Sequence, residues 1–335
     1  MMPVHGGTTK DRILIGLDVG GTKMRGAVMD ASGSVRARIH RPTTAAGNPG
    51  VTEQILDMLH HLRQAAFTGA LAGIALGVPG YIHPATGVVV EATNIGVRNL
   101  RLGEIVTQHF RVPTLVLHDV KAAALGEASF GAAQGSNYLA FLNVGTGISV
   151  GLIFHGQIYE GVAGRAGEIG HVCVRNDGPR CACGKRGCLE ALASGPALAR
   201  DARAAICEGR TSRMAAVVHG ALDQITAETV AEAARHGDAL ALALIDNAAG
   251  SLGSAIAGLV MVLDLDRVVV GGGLAQIGPL LLDRVDAAAR ANLSNEFLAD
   301  LVILPSALGA DACVLGALAA FDQNYTGHEG HGAYT

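Results

Sequence analysis

Three things are scarce in this chain of 335 residues: an excess of charge of either sign, an unbroken apolar run, and the common nucleotide-binding signatures. Lys and Arg number 25 against 29 Asp and Glu. The resulting net charge of −4 draws in no polyanion, which speaks against a nucleic-acid or membrane-surface partner. The longest apolar stretch, Ala239 to Leu263, is interrupted by Asp246, Asn247, Gly250, Gly253 and Gly258 and fits a buried helix better than a membrane span. The stretch from Met1 to Arg12 has no apolar core, so neither a signal peptide nor the usual transit sequence is read there, and a cytoplasmic location is expected. Neither Gly-x-x-x-x-Gly-Lys-Ser/Thr nor Gly-x-Gly-x-x-Gly occurs, which weakens P-loop and Rossmann readings. Half of the residues are hydrophobic, enough for a sizeable core and two domains, with small-molecule chemistry as the default.

What is present is a cluster. Cys173, Cys181, Cys183 and Cys188 fall within sixteen residues, His171 lies just upstream, and Ala182, Gly184 and Gly187 leave the segment flexible. His171, Cys181, Cys183 and Cys188 suit one tetrahedral Zn²⁺, with a disulfide as the alternative. Cys173, Cys207 and Cys313 are read as packing residues.

Ile13 to Asp18 is an apolar run ending in Asp-Val-Gly-Gly-Thr-Lys, after which Gly26 to Met29 resumes. This pattern predicts a strand, a glycine turn and a second strand, with Ser32-Gly33 turning into a third. Leu139 to Asn143, Val144-Gly145-Thr146-Gly147 and Ile148 to Phe154 repeat the same order, and aligning Asp18 with Asn143 points to an internal duplication. Helices are expected over 51–67, 120–130, 226–235, 239–263 and 280–292, and buried strands over 74–78, 114–118 and 267–270, an α/β alternation with at least partly parallel sheets. Gly20-Gly21-Thr22-Lys23, Gly145-Thr146-Gly147 and Gly271-Gly272-Gly273 each follow a hydrophobic strand, and turns without side chains let several backbone N–H groups approach phosphate oxygens. Three of them suggest a nucleoside triphosphate.

Asp18-Val-Gly-Gly-Thr-Lys23, Asp119 with Ala-Ala-Ala-Leu-Gly-Glu127, Gly167-Glu-Ile-Gly-His171 and Cys181-x-Cys-Gly-x-x-Gly-Cys-Leu-Glu190 together resemble the ROK family of bacterial sugar kinases and sugar-responsive repressors. The resemblance runs from about Ile13 to Phe321 and implies the actin-like, ribonuclease-H-like ATPase fold, two domains around a cleft, as a homodimer or homotetramer. The expected division is a disordered stretch 1–12, an N-terminal domain 13–125 with a helix 310–321 packing back on it, a C-terminal domain 126–309 holding the zinc segment 171–190, and a disordered tail 322–335. Repressor members carry an N-terminal DNA-binding domain. Only about twelve residues precede the first strand here, so the kinase branch is favoured.

The resemblance makes Asp119 the catalytic base; by itself, Asp119 reads equally as an N-cap for the helix that follows. It places Gly80, Asn94, His118, Asp119, Glu168, His171 and Glu190 on the sugar, and carboxylates suit hydroxyl groups because each oxygen accepts donors at fixed geometry. Asp18, Gly20, Gly21, Thr22 and Lys23 match the first phosphate segment, Gly145 and Thr146 the second, and Gly272 and Gly273 the adenosine side; Lys23 is equally readable as a solvated turn charge. ATP, Mg²⁺ and a structural Zn²⁺ are the implied cofactors, the zinc orienting the pocket from behind His171. The expected reaction is ATP-dependent phosphorylation of the 6-hydroxyl of glucose or of an amino or N-acetyl hexose. The alternative is a sugar-sensing regulator without catalysis.

Two departures concern the sugar. Many family kinases read Asn-Asp-Ala-Asn around the base, whereas this chain reads His118-Asp119-Val120-Lys121, and Val97 stands where several glucokinases carry Trp.

Overall fold

The computed structural model describes residues 12–66 and 69–325. They divide into two compact units, 12–134, 156–166 and 310–325 in the first and 135–155 and 167–309 in the second.

The first unit opens with β1 (Arg12–Val19), β2 (Lys23–Asp30), β3 (Val35–Pro42) and α1 (Asn48–Ala65), then β4 (Ala70–Val78). β1 is buried nearly end to end, as a central strand covered on both faces must be, whereas every second residue of β3 is exposed, which marks a sheet edge. α1 buries Val51, Ile55, Met58, Leu59 and Leu62, the spacing that puts one face of a helix on a core. Three short strands follow, β5 (Tyr81–Ile82), β6 (Val89–Ala92) and β7 (Val97–Leu100), then α2 (Leu102–Phe110), β8 (Thr114–His118) and α3 (Asp119–Phe130). The border expected at 125/126 falls inside α3, which remains whole within the first unit.

The second unit contains β9 (Tyr138–Val144) and β10 (Ile148–Phe154); β11 (Gln157–Ile158) pairs at the edge of its sheet. It continues with α4 (Leu189–Ala193), α5 (Gly195–Cys207), α6 (Arg213–Val217), α7 (Ala227–Arg235), α8 (Ala239–Leu263), β12 (Arg267–Gly271), α9 (Pro279–Ala291), α10 (Asn295–Leu298) and β13 (Val302–Pro305). α8 is long and apolar enough to cross a membrane by length and composition. Here it lies in the core, with Leu252 and Ile256 fully buried and Asp246 paired with Arg284 of α9.

The two sheets have the orders β3-β2-β1-β4-β8 and β11-β10-β9-β12-β13. In each, an antiparallel hairpin supplies the first central strand and two parallel strands follow on its other side. The duplication read from the glycine turns is thus a duplication of sheet topology. The third sheet, β5-β6-β7, had no signature in the sequence, because strands of two to four residues are too short to display a period.

The last element, α11 (Ala312–Tyr325), returns to the first unit. Residues 322–325, read from sequence as tail, therefore continue this helix, while 1–11 and 326–335 lie outside the described residues. Leu318 and Phe321 of α11 rest on Gly16 of β1 and Gly73 of β4, each fully buried side chain worth roughly 1.5–3 kcal/mol. Against α3 the backbones themselves touch: a side-chain carbon on Gly316 would overlap the carbonyl of Ala122, and one on Gly126 that of Ala312. α11 thereby fixes the helix that begins with Asp119.

Candidate functional site

In the first unit, Asp18 near the end of β1 stands opposite Gly77 of β4, and Gly77 opposite Leu117 of β8, so Asp18, His118 and Asp119 emerge together at the carboxyl ends of parallel strands. That edge is where open α/β sheets place ligands. Gly77 leaves room between them: a side chain there would overlap Cys313 Sγ and lie 3.6 Å from the Asp119 Cα. Burial, and after it the negative charge of Asp119, push the Asp18 carboxyl up to about 7, opposed by the thiol hydrogen bond from Cys313 and by Arg25 at 3.9 Å. The same burial and the same two carboxylates raise the Cys313 thiol well above its ordinary range, so it remains a proton donor. Sequence reading treated Cys313 as packing; it is buried, and it also contacts a candidate site residue.

His118 is the cap of α3 and Asp119 its first residue. The backbone N–H of Val120 donates to Asp119 Oδ1 at 2.8 Å and to His118 Nδ1 at 3.2 Å. The cap that the sequence offered to Asp119 is thus His118, while the Asp119 carboxylate also takes a helix-terminal N–H, with 29% of its side chain exposed. Accepting at Nδ1 leaves the neutral His118 ring its proton on Nε2.

Lys121, in the first turn of the same helix, is buried, its side chain only 4% exposed. Its ammonium pairs with Glu160 and donates to the Gly164 carbonyl at 2.9 Å, filling a loop closed by the Ala166 N–H on the Glu160 carbonyl at 3.2 Å. A buried lysine needs such partners. The loop leads directly into Gly167 and Glu168, and Glu168 itself is exposed.

The turn after β1 is closed by the Gly20 N–H on the Lys23 carbonyl at 2.9 Å, and Thr43 Oγ1 donates to the Gly20 carbonyl at 2.7 Å. Gly21, Thr22 and Lys23 are exposed. Asn94 packs on this turn, since a side chain on Gly21 would come within 2.9 Å of the Asn94 carbonyl. Gly80 lies at the end of β4, before β5, against Glu91 and Ala92 of β6. Val97 does not stand at an open surface: it is 1% exposed within the core of the unit.

In the second unit, Glu190 of α4 accepts the Ile148 N–H at 3.0 Å and lies against Gly147, bringing this carboxylate to the second glycine turn. The third turn approaches the second. Gly272 has φ +89°, and any side chain there would strike Asn143 and the Val144 backbone, so only glycine fits. Gly145 and Gly273 border a cavity of about 530 Å³. Its remaining wall includes Gly195 and Pro196 at the start of α5, Arg203, Thr226 before α7, Glu228 and Gln276. None of these was read as a site from the sequence, although Ser194-Gly-Pro is a legible helix start. The Gly195 N–H donates to the Gly145 carbonyl at 2.9 Å, tying that helix start to the turn.

The cysteine cluster assembles as the spacing suggested. One donor atom from each of His171, Cys181, Cys183 and Cys188 lies within 4.8 Å of the others. Cys181 Sγ is 3.7 Å from His171 Nδ1 and Cys183 Sγ 3.6 Å from Cys188 Sγ, close to the edge of about 3.8 Å that Zn–S bonds of about 2.3 Å impose on a tetrahedron. Burial and the neighbouring thiols push Cys188 up to about 12. Such a thiol becomes a ligand only with a cation to hold its thiolate, and this donor set fits Zn²⁺. Cys173 and Cys207 are exposed, contrary to the packing expected of them.

The family model for the ROK family matches residues 14–324. A glucokinase of Halalkalibacterium halodurans is 36% identical over 316 residues, 91% of this chain and 94% of that protein. A ROK family glucokinase from Streptomyces griseus, solved in complex with glucose and AMPPNP, superposes with a TM-score of 0.79 at 32% identity, over 92% of this chain and 98% of that one. A ROK family transcriptional regulator, a homologue of the E. coli MLC protein, superposes with a TM-score of 0.83 at 26% identity, over 92% of this chain and 77% of that one. The twice-repeated sheet order is that of the actin-like ATPase fold, and the chain is a member of the ROK family.

Proposed function

We propose that this protein is an ATP-dependent hexose kinase that phosphorylates the 6-hydroxyl of glucose or of an amino or N-acetyl hexose, with Asp119 as general base. The observation that carries the reading is the setting of Asp119 beside a buried second carboxylate, Asp18, at the carboxyl edge of the sheet. The Val120 N–H holds Oδ1, so Oδ2 is left to accept the sugar proton as that oxygen attacks the γ-phosphorus. Asn94 and Gly80, with Glu168, His171 and Glu190, are the proposed sugar contacts. His118 adds an N–H donor where many relatives have an amide, and it is the proposed determinant of which hydroxyl pattern is accepted.

The turn 20–23 with Asp18, and Gly145, Thr146, Gly272 and Gly273, are the proposed ATP contacts, the cavity beside Gly145 and Gly273 taking the nucleoside. Mg²⁺ would neutralise the triphosphate when bound. Zn²⁺ on His171, Cys181, Cys183 and Cys188 would be four-coordinate and structural, setting the orientation of the His171 ring through Nδ1. A cytoplasmic homodimer or homotetramer is the proposed assembly.

The second reading, a sugar sensor without catalysis, is favoured by the likeness to the regulator structure. A coupled ADP-release screen decides between them, run over glucose, mannose, N-acetylglucosamine, N-acetylmannosamine, fructose and 3-amino-3-deoxyglucose, with polyphosphate as a parallel donor. Sugar-dependent ADP release supports the kinase, and saturable sugar binding without ADP release supports the sensor. His118→Asn is expected to change the ratio of kcat/KM among these sugars.

A further inference from the structure

Cys173 lies outside the metal donor set, yet the backbone sets it directly across from one of the ligands. Cys173 and Cys188 form an isolated antiparallel bridge. Its hydrogen bonds flank the pair rather than join it: Val174 N–H donates to the Gly187 carbonyl at 2.9 Å and Leu189 N–H to the Val172 carbonyl at 3.0 Å. This is the non-hydrogen-bonded register, in which facing Cα atoms approach to about 4.5 Å with side chains on the same face, inside the span of about 4.4–6.8 Å that a disulfide bridges. Cys173 Sγ donates to Asn176 Oδ1 at 3.4 Å, a contact it leaves to reach across to Cys188. Exposure separates the two: Cys173 is open to solvent, whereas Cys188 is 0% exposed.

We propose that Cys173 is an oxidation site that forms a disulfide with Cys188 and so dismantles the metal centre; the metal half of this inference rests on the zinc reading above. A peroxide is the oxidant. The Cys173 thiol attacks one peroxide oxygen, the O–O bond breaks, and Cys173 sulfenic acid and water form. The Cys188 thiolate then attacks the Cys173 sulfur, the S–O bond breaks, and with one proton the hydroxide leaves as water. Two thiol sulfurs are oxidised and one peroxide is reduced. The cation would keep only His171, Cys181 and Cys183, and with one thiolate fewer it would be held more weakly and pass to a competing chelator. A thiol reductant and fresh zinc reverse the change. The exposed partner meets the oxidant and the buried partner gives up the metal, so neither residue suffices alone.

The test treats the purified full-length protein with hydrogen peroxide, follows released zinc with a chromogenic chelator, and maps disulfides by mass spectrometry after blocking free thiols. A Cys173–Cys188 linked peptide appearing in step with zinc release, reversed by dithiothreitol, is the expected result. Cys173→Ser is expected to release zinc several-fold more slowly and to keep unoxidised activity, with Cys173→Ala as a second variant. Zinc release at the wild-type rate from both variants, or linkage confined to Cys181, Cys183 and Cys188 among themselves, overturns the proposal. The same mapping on zinc-stripped protein separates the two readings. Protein purified without zinc removes the metal reading while the linkage is still scored, and no linkage with or without zinc removes the oxidation site itself.

Discussion

Asp18 and Asp119 share one corner of the first sheet, and the charge of Asp119 adds to burial in lifting the Asp18 carboxyl to about 7. Cys313 donates to Asp18 between the two strand ends. A carboxyl whose pKa is raised by folding stabilises the fold while protonated. That contribution is fully present below the ordinary carboxylate range and is lost as pH rises through about 7. Asp18→Asn is therefore expected to exceed the wild type in thermal stability by a few kcal/mol at pH 8 and by less at pH 5, the gap closing only below the ordinary carboxylate range, while losing activity at both. Melting curves at the two values check this; equal wild-type and variant stability at pH 8 would show that Asp18 ionises freely.

Asp119→Asn keeps the size of the side chain and an oxygen for the Val120 N–H, but cannot take a proton. kcat is expected to fall by about 10²- to 10⁴-fold, with sugar affinity changed only modestly. Steady-state kinetics with a calorimetric sugar titration separate the two, and a variant turning over at the wild-type rate removes Asp119 as the base.

Glu160→Gln strips the buried Lys121 ammonium of its counter-charge and is expected to cost about 3 kcal/mol in urea unfolding. Lys121→Met combined with Glu160→Gln removes the charge as well as its partner, and most of that loss should return. Additive losses in the double variant would mean that the pair is not coupled.

Gly316→Ala forces α11 away from the Ala122 carbonyl on α3. Overpacking of this kind costs about 1–3 kcal/mol. Because α3 begins with Asp119, kcat should fall with stability, although residue 316 touches no proposed substrate group. A fall in the unfolding midpoint with kcat unchanged would uncouple the α3–α11 spacing from the base.

Removal of zinc by a chelator is expected to lower the melting temperature and raise the sugar KM before it reduces kcat at saturating sugar. Normal sugar affinity in folded, zinc-free protein would place the metal away from the sugar wall.

Much of this was legible without coordinates. Helix α8 occupies the very stretch Ala239–Leu263 that the apolar pattern marked, and β8 the stretch Thr114–His118, because continuous apolar runs bounded by polar residues leave little choice of element. The His/Cys cluster was legible for a related reason: His171 and three cysteines span eighteen residues, so local chain geometry alone brings them together. The strands β5, β6 and β7 were not, being too short for a period, and neither was the burial of Val97 in the core of the first unit.

Local pattern determined the duplicated glycine turns, much of the order of strands and helices and the clustering of His171 with three cysteines, each of which depends on residues close together in the chain, whereas Asp119 became the candidate base only through the family resemblance. Tertiary structure alone decided that Cys313, from the last helix, stands between Asp18 and Asp119, that Lys121 is buried on Glu160, and that α5 and α7 wall a cavity beside Gly145. Those facts join distant segments, and the charge states that follow depend on how much water the joined segments exclude, which no local spacing encodes.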